Sequence, residues 1–279
     1  MSSERTIRVR RGAPGNPSYD TFTVPTSRRM TVLDGLEYIH ARLDETLLYR
    51  HSCHHGSCGT CGMIINGEQR LACLTNMEEA AGGAADGAGT RKHGSPANTA
   101  ADGVTAADGQ PASHGGVPRG GEANRPGAAE AVDIVLEPLD AFTHLRDLAV
   151  DPTGFFTRYP EGATYLRRSE ANKDAPVAQE VRAEGNDGYE RFENCIECGL
   201  CVSACPVTQA FVGPATLAAF HRELKNRPER REEILGLVDQ RDGVWACQRA
   251  LNCSRVCPTK VYPAKHIAML QREIEQSRE

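Results

Sequence analysis

The order of apolar and polar residues divides the chain into segments of different period. Thr6-Ile7-Arg8-Val9-Arg10 alternates, as does Tyr19-Asp20-Thr21-Phe22-Thr23-Val24 after the turn at Gly15-Asn16-Pro17, so each predicts a half-buried strand. Met30, Val32, Leu33, Leu36, Ile39 and Leu43 recur at helical spacing. Met63-Ile64-Ile65 runs into Asn66-Gly67, a hairpin turn pair, and Gln69-Arg70-Leu71-Ala72 returns. Val132-Asp133-Ile134-Val135-Leu136 predicts a last strand for the same sheet. These elements make a small half-open sheet packed on one helix.

Beyond Asp140, a helix-cap residue, the apolar positions Leu145, Leu148, Val150, Phe155, Phe156 and Tyr159 predict helix. Pro214 is expected to open a helix through Leu217, Phe220 and Leu224, and Pro263 another through Ile267, Leu270 and Ile274. The expected organisation is therefore α+β, with a sheet domain over residues 1–140 and a mainly helical domain over 141–279. Residues 81–130 fit neither. Of these fifty, 12 are Gly and 13 are Ala, with Val104 and Val117 the only branched aliphatics. Such a stretch cannot bury enough apolar surface to offset about 1–2 kcal/mol of backbone entropy per residue. It reads as a disordered surface insertion between two strands of one sheet, which a fold tolerates at small cost.

Composition narrows the function. The chain has 279 residues and a net charge of −5, which argues against a nucleic-acid partner. No run of about 18 apolar residues exists to span a bilayer. Met1-Ser2-Ser3-Glu4-Arg5 leads straight into a strand-like stretch, so neither a secretion signal nor a transit peptide is expected. Eleven cysteines in such a chain point to metal ligands rather than disulfides.

Their spacing says which metal. Cys53-x4-Cys58-x2-Cys61-x11-Cys73 has the opening of a plant-type [2Fe–2S] site. Gly56, Gly59 and Gly62 allow its loop to wrap a cluster and present N–H groups to sulfur. Four cysteines also suit structural zinc, but the x4 spacing and the glycines favour iron. His51, His54 and His55 crowd this loop and are read as surface or supporting residues, because all four cysteine positions are filled. Cys195-x2-Cys198-x2-Cys201-x3-Cys205-Pro206 matches the bacterial ferredoxin run, whose fourth cysteine serves the other cluster. A second run follows, Cys247-x5-Cys253-x3-Cys257-Pro258, with Ala250 where a cysteine is expected. Crossing over the fourth cysteines assigns Cys195, Cys198, Cys201 and Cys257 to a [4Fe–4S] cluster. Cys205, Cys247 and Cys253 remain, three ligands for a [3Fe–4S] cluster with its empty corner at Ala250.

One chain bearing [2Fe–2S], [4Fe–4S] and [3Fe–4S] sites in this order resembles the iron–sulfur subunit of succinate dehydrogenase and fumarate reductase. Met30-Thr31-Val32-Leu33-Asp34-Gly35-Leu36, Arg70-Leu71-Ala72-Cys73, Leu136-Glu137-Pro138-Leu139, Gly213-Pro214-Ala215 and Gly243-Val244-Trp245-Ala246-Cys247 carry the likeness. The resemblance implies an N-terminal β-grasp [2Fe–2S] ferredoxin-like domain followed by an α-helical ferredoxin domain. It implies a partner flavoprotein subunit with FAD and the dicarboxylate site, a membrane anchor with quinone, and a peripheral place on the cytoplasmic side of a prokaryotic membrane. Carried over by position, Pro206, Val207, Thr208, Gln248 and Arg249 approach the quinone, and Trp245 either edges that pocket or packs beside it. The short segment after Cys205-Pro206, Gln248 in place of a frequent histidine, and Gln271 in place of a frequent lysine depart from the family's pattern. Two other functions use the same parts: service to a related fumarate reductase or other flavoprotein complex, and a freely diffusing multi-cluster ferredoxin.

Overall fold

The protein was analysed as a computed structural model, which describes residues 3–82, 132–160, 194–207 and 211–278. The 81–130 insertion lies almost wholly outside them. The first half builds a five-stranded mixed sheet from β1 (Ser3–Arg11), β2 (Ser18–Thr26), β3 (Gly62–Ile65), β4 (Glu68–Leu71) and β5 (Ile134–Glu137), in the order β2-β1-β5-β3-β4. Every pairing is antiparallel except β1 with β5, where Ile7 lies opposite Ile134 and Val9 opposite Leu136. The strand before the insertion and the strand after it therefore lie in one sheet, as expected.

The alternation in β1 sends Ile7 and Val9 inward, where both are fully buried. Helix α1 (Val32–Arg42) covers that face with Val32, Leu33, Leu36 and Ile39. Each such side chain contributes about 1.5–3 kcal/mol by leaving water. The helix starts where Thr31 and Asp34 cap each other reciprocally, which satisfies two otherwise orphaned N–H groups. A short helix, α2 (Met77–Ala80), closes the same core with Met77.

The expected helix after Asp140 is not there. Thr143–Arg146 and Ala149–Asp151 form a β-hairpin, β6 and β7, and only the single turn α3 (Thr153–Phe156) follows. Leu145 and Leu148 sit three apart, as on a helix, yet Leu145 is 52% exposed and Leu148 is buried. The turn is decided by Asp147, held at a left-handed φ of 52°. Its fully buried carboxylate accepts N–H bonds from Gly12 (2.8 Å) and Leu48 (2.9 Å), tertiary contacts that local periodicity cannot register. Among the described residues Asp140 caps no helix; its carboxylate accepts the Ser203 hydroxyl.

The second half is helical, as expected: α4 (Leu200–Ser203), α5 (Pro214–Asn226), α6 (Arg231–Val238), α7 (Asn252–Arg255) and α8 (Pro263–Ser277). Leu217, Leu224, Ile234, Val238, Ile267, Leu270 and Ile274 fill its core. Leu200 reaches across into the core of the sheet half, joining the two.

Candidate metal centres

All eleven cysteines are free thiols. The first four converge from the loop between α1 and β3 and from the 3-10 turn that follows β4. His54, Gly56 and Gly59 take left-handed backbone conformations that fold the loop back on itself. Cys53 then neighbours Cys58, and Cys61 neighbours both Cys73 and Cys58. The Ala72 N–H bonds the Cys61 carbonyl at 3.1 Å and holds the 3-10 turn against the loop. The Ser57 hydroxyl, aided by the N–H groups of His55 and Ser57, pulls the Cys53 thiol down to about 5, whereas burial pushes Cys61 up to about 12. The Ser57 N–H points at Cys53 Sγ from 3.3 Å, the donor geometry that stabilises an anionic sulfur.

The other seven separate into two recesses. Cys195, Cys198 and Cys201 line one together with Cys257, which arrives from the second run. Cys205, Cys247 and Cys253 line the other, with Ala250 beside them. Left-handed turns at Glu197 and Gly199 shape the first run, and turns at Arg249 and Leu251 shape the second. The Val261 N–H lies 3.3 Å from Cys257 Sγ. Burial raises the Cys195 thiol to about 11 and Cys198 to about 12, and Cys201 rises well above its ordinary value. A metal held in so dry a recess would deprotonate these thiols outright as its ligands. The buried hydroxyl of Tyr159 faces the same thiols and points at the Cys195 sulfur, a donor that lowers that thiol against the effect of burial. The donor set therefore fits iron–sulfur clusters. The second recess also argues against structural zinc, which closes its tetrahedron with four protein ligands.

The remaining expected contacts divide. Pro206, Gln248 and Arg249 line the recess of Ala250. Arg249 donates to Gln271 Oε1 at 3.1 Å, and Gln271 Nε2 donates to the Val244 carbonyl at 2.9 Å, so α8 braces the loop after Cys247. Trp245 is 40% exposed; its indole N–H donates to Asp239 at 2.6 Å and Arg278 lies over its ring. Thr208 lies outside the described residues. Sequence reasoning missed Tyr159 because its spacing from Phe155 and Phe156 read as one face of a long helix.

Comparison with known proteins agrees with this geometry. Residues 6–157 match the 2Fe-2S iron-sulfur cluster binding domain family, and residues 191–261 match the 4Fe-4S dicluster domain family. A fumarate reductase iron-sulfur subunit of Mycobacterium tuberculosis is 31% identical over 89% of this chain and 82% of its own length. One from Haemophilus influenzae is 28% identical over 94% of this chain and 88% of its own. The fold is similar to a chain of the Mycobacterium smegmatis Sdh1 complex, with a TM-score of 0.62 at 19% identity, covering 99% of this chain and 98% of that one. The chain belongs to the iron–sulfur subunits of fumarate reductase and succinate dehydrogenase, electron-transfer proteins that carry a [2Fe–2S], a [4Fe–4S] and a [3Fe–4S] cluster.

Proposed function

We propose that Cys53, Cys58, Cys61 and Cys73 hold the [2Fe–2S] cluster, that Cys195, Cys198, Cys201 and Cys257 hold the [4Fe–4S] cluster, and that Cys205, Cys247 and Cys253 hold the [3Fe–4S] cluster. The observation that carries this assignment is the exchange of Cys257 into the recess of the first run, leaving Ala250 in the other. When bound, the clusters supply one-electron carriage between an FAD-bearing flavoprotein subunit and a quinone in a membrane anchor. The chain's own residues fix the order and spacing. Gly59 brings the first loop into contact with Cys198, and α5, α7 and α8 frame the last recess.

In this reading the subunit performs no acid–base chemistry and is held between its two partners, on the cytoplasmic side of a prokaryotic membrane. Among the described residues no helix is long and apolar enough to cross a bilayer. Pro206, Gln248 and Arg249 face the quinone, with Gln271 positioning Arg249, and Thr208 is grouped with them by its place in the sequence alone. Trp245 takes the packing role that its bond to Asp239 supports.

The test is iron and labile-sulfide analysis together with EPR of the oxidised protein. About nine irons per chain and a signal from the oxidised three-iron centre are expected. An EPR-silent oxidised sample overturns the assignment of Cys205, Cys247 and Cys253.

A further inference from the structure

We propose that Glu37, His51 and His54 form a binding site for a divalent transition metal of the zinc class, on the outer side of the loop that carries Cys53. The cluster assignment uses none of these residues. Glu37 projects from α1, and the two histidines flank Ser52-Cys53 in the loop laid over that helix. His54 Nδ1 lies 3.3 Å from Glu37 Oε1 and His51 Nδ1 lies 3.7 Å from the same oxygen. His51 Nδ1 and His54 Nε2 are 3.1 Å apart, and one ligand atom from each residue falls within a 4.8 Å group. Four ligands at about 2.0–2.2 Å around zinc stand roughly 3.3–3.6 Å from one another. The two His54 nitrogens face Glu37 and His51 separately and only one can bind the ion, so the 4.8 Å group closes by a side-chain shift of about 1 Å.

The arrangement is held in place before any ion arrives. His51 stacks on Tyr49 with ring centroids 5.1 Å apart and planes 24° from parallel, and His40 meets the far edge of Tyr49 at 6.0 Å. The left-handed backbone of His54, φ 61°, is set by the cysteine loop. Two imidazoles and one carboxylate suit zinc, and nickel or copper bind such sets in their usual order of affinity. Side-chain exposures of 36–45% leave a path for the ion and a coordination position for water. A bound dication adds positive charge beside Cys53 and favours the reduced state of the adjacent centre. That consequence, though not the site itself, rests on Cys53 being a cluster ligand.

The test is calorimetric titration of the full cluster-loaded chain with zinc chloride, with iron and sulfide measured before and after to show that the cysteines are untouched. One equivalent binds to the wild type, at least tenfold more weakly to Glu37→Gln or His54→Asn, and not at all to the triple variant that adds His51→Asn. Asparagine tolerates the left-handed conformation at position 54, so the loop keeps its shape. No binding to the wild type, or equal binding to the triple variant, overturns the site. EPR-monitored redox titration then reads the consequence: zinc raises the [2Fe–2S] midpoint in the wild type alone, and an unchanged midpoint overturns the redox effect. A zinc-free chain with no [2Fe–2S] signal indicts the cluster assignment instead.

Discussion

A Cβ atom placed on Gly59 lies 2.6 Å from the Cβ of Cys198 and 2.7 Å from its Cα. The loop around Cys53, Cys58 and Cys61 therefore rests on the backbone of the first ferredoxin run, at Cys198, with no side chain between them. Under the proposed ligand assignment, an electron passing between the [2Fe–2S] and [4Fe–4S] centres would cross where these two loops touch. The same glycine sits at φ +70°, so geometry and clearance make the same demand on position 59.

Gly59→Ala follows directly. Alanine pays about 1–2 kcal/mol for the left-handed backbone and overlaps Cys198 besides, so the loops must part. The variant is expected to lose at least about 2 kcal/mol of stability in thermal unfolding. In the protein that still folds, freeze-quench EPR should show slower electron arrival at the [4Fe–4S] centre, with both clusters retained. Wild-type transfer in this variant shows that the contact does not set the path.

What was legible in the sequence was whatever depends on neighbours along the chain. Alternation in residues 6–10 and 19–24 marked two strands, and Asn66-Gly67, at φ 50° and 80°, made the expected hairpin turn. The cysteine spacing led to the expectation that Cys257 joins the first run, and Cys257 does line the recess of Cys195, Cys198 and Cys201. Long-range contacts were hidden. The Asp147 carboxylate joins Gly12 and Leu48, which lie 135 and 99 residues away, and so converts a helix-like apolar pattern into a hairpin. The contact of Gly59 with Cys198 was equally invisible, since a cluster loop rich in glycine has other uses for each one. Helix α6 was missed because Ile234, Leu235 and Val238 follow the charged run Arg230-Arg231-Glu232-Glu233.

Restoring a thiol at the second recess tests the role of Ala250. It lies among Cys205, Cys247 and Cys253, so Ala250→Cys presents a fourth ligand where the empty corner is expected. The variant should take up one further iron, and its oxidised EPR signal should vanish as the three-iron centre becomes a cubane. Quinone reduction should slow, because cluster type and charge set the potential of the exit centre. An unaltered oxidised signal in the variant contradicts the assignment.

Asp147→Asn keeps the shape and left-handed tolerance of the residue while removing its charge. Arg11 Nε lies 3.5 Å from this carboxylate and is itself nearly buried. Taking away one partner of a buried ionic contact costs about 3 kcal/mol. Chemical denaturation should show that loss with all clusters assembled, since the residue touches none of the cysteines. A change below about 0.5 kcal/mol means that the contacts of Arg11 with Asp44, at 2.7 Å, and Asp20, at 3.6 Å, carry the charge pairing without Asp147.

His221 Nδ1 and His266 Nδ1 face each other at 2.8 Å between α5 and α8, both rings buried. One nitrogen must donate and the other accept, so the bond requires at least one neutral ring. Burial lowers both groups; for His266, with His221, Lys265 and Lys225 nearby, the result is about 4. Because the folded pKa lies below the unfolded value of 6.5, the unfolded chain binds more protons between those limits. Stability is therefore full above about pH 6.5 and falls as the pH drops toward 4, by at most about 3 kcal/mol from His266 at 1.36 kcal/mol per unit. His266→Gln retains a polar partner for His221 and removes this titration. A plot of melting temperature against pH should lose part of its acid limb in the variant, and superimposable profiles for the two proteins eliminate His266 as a source of acid sensitivity.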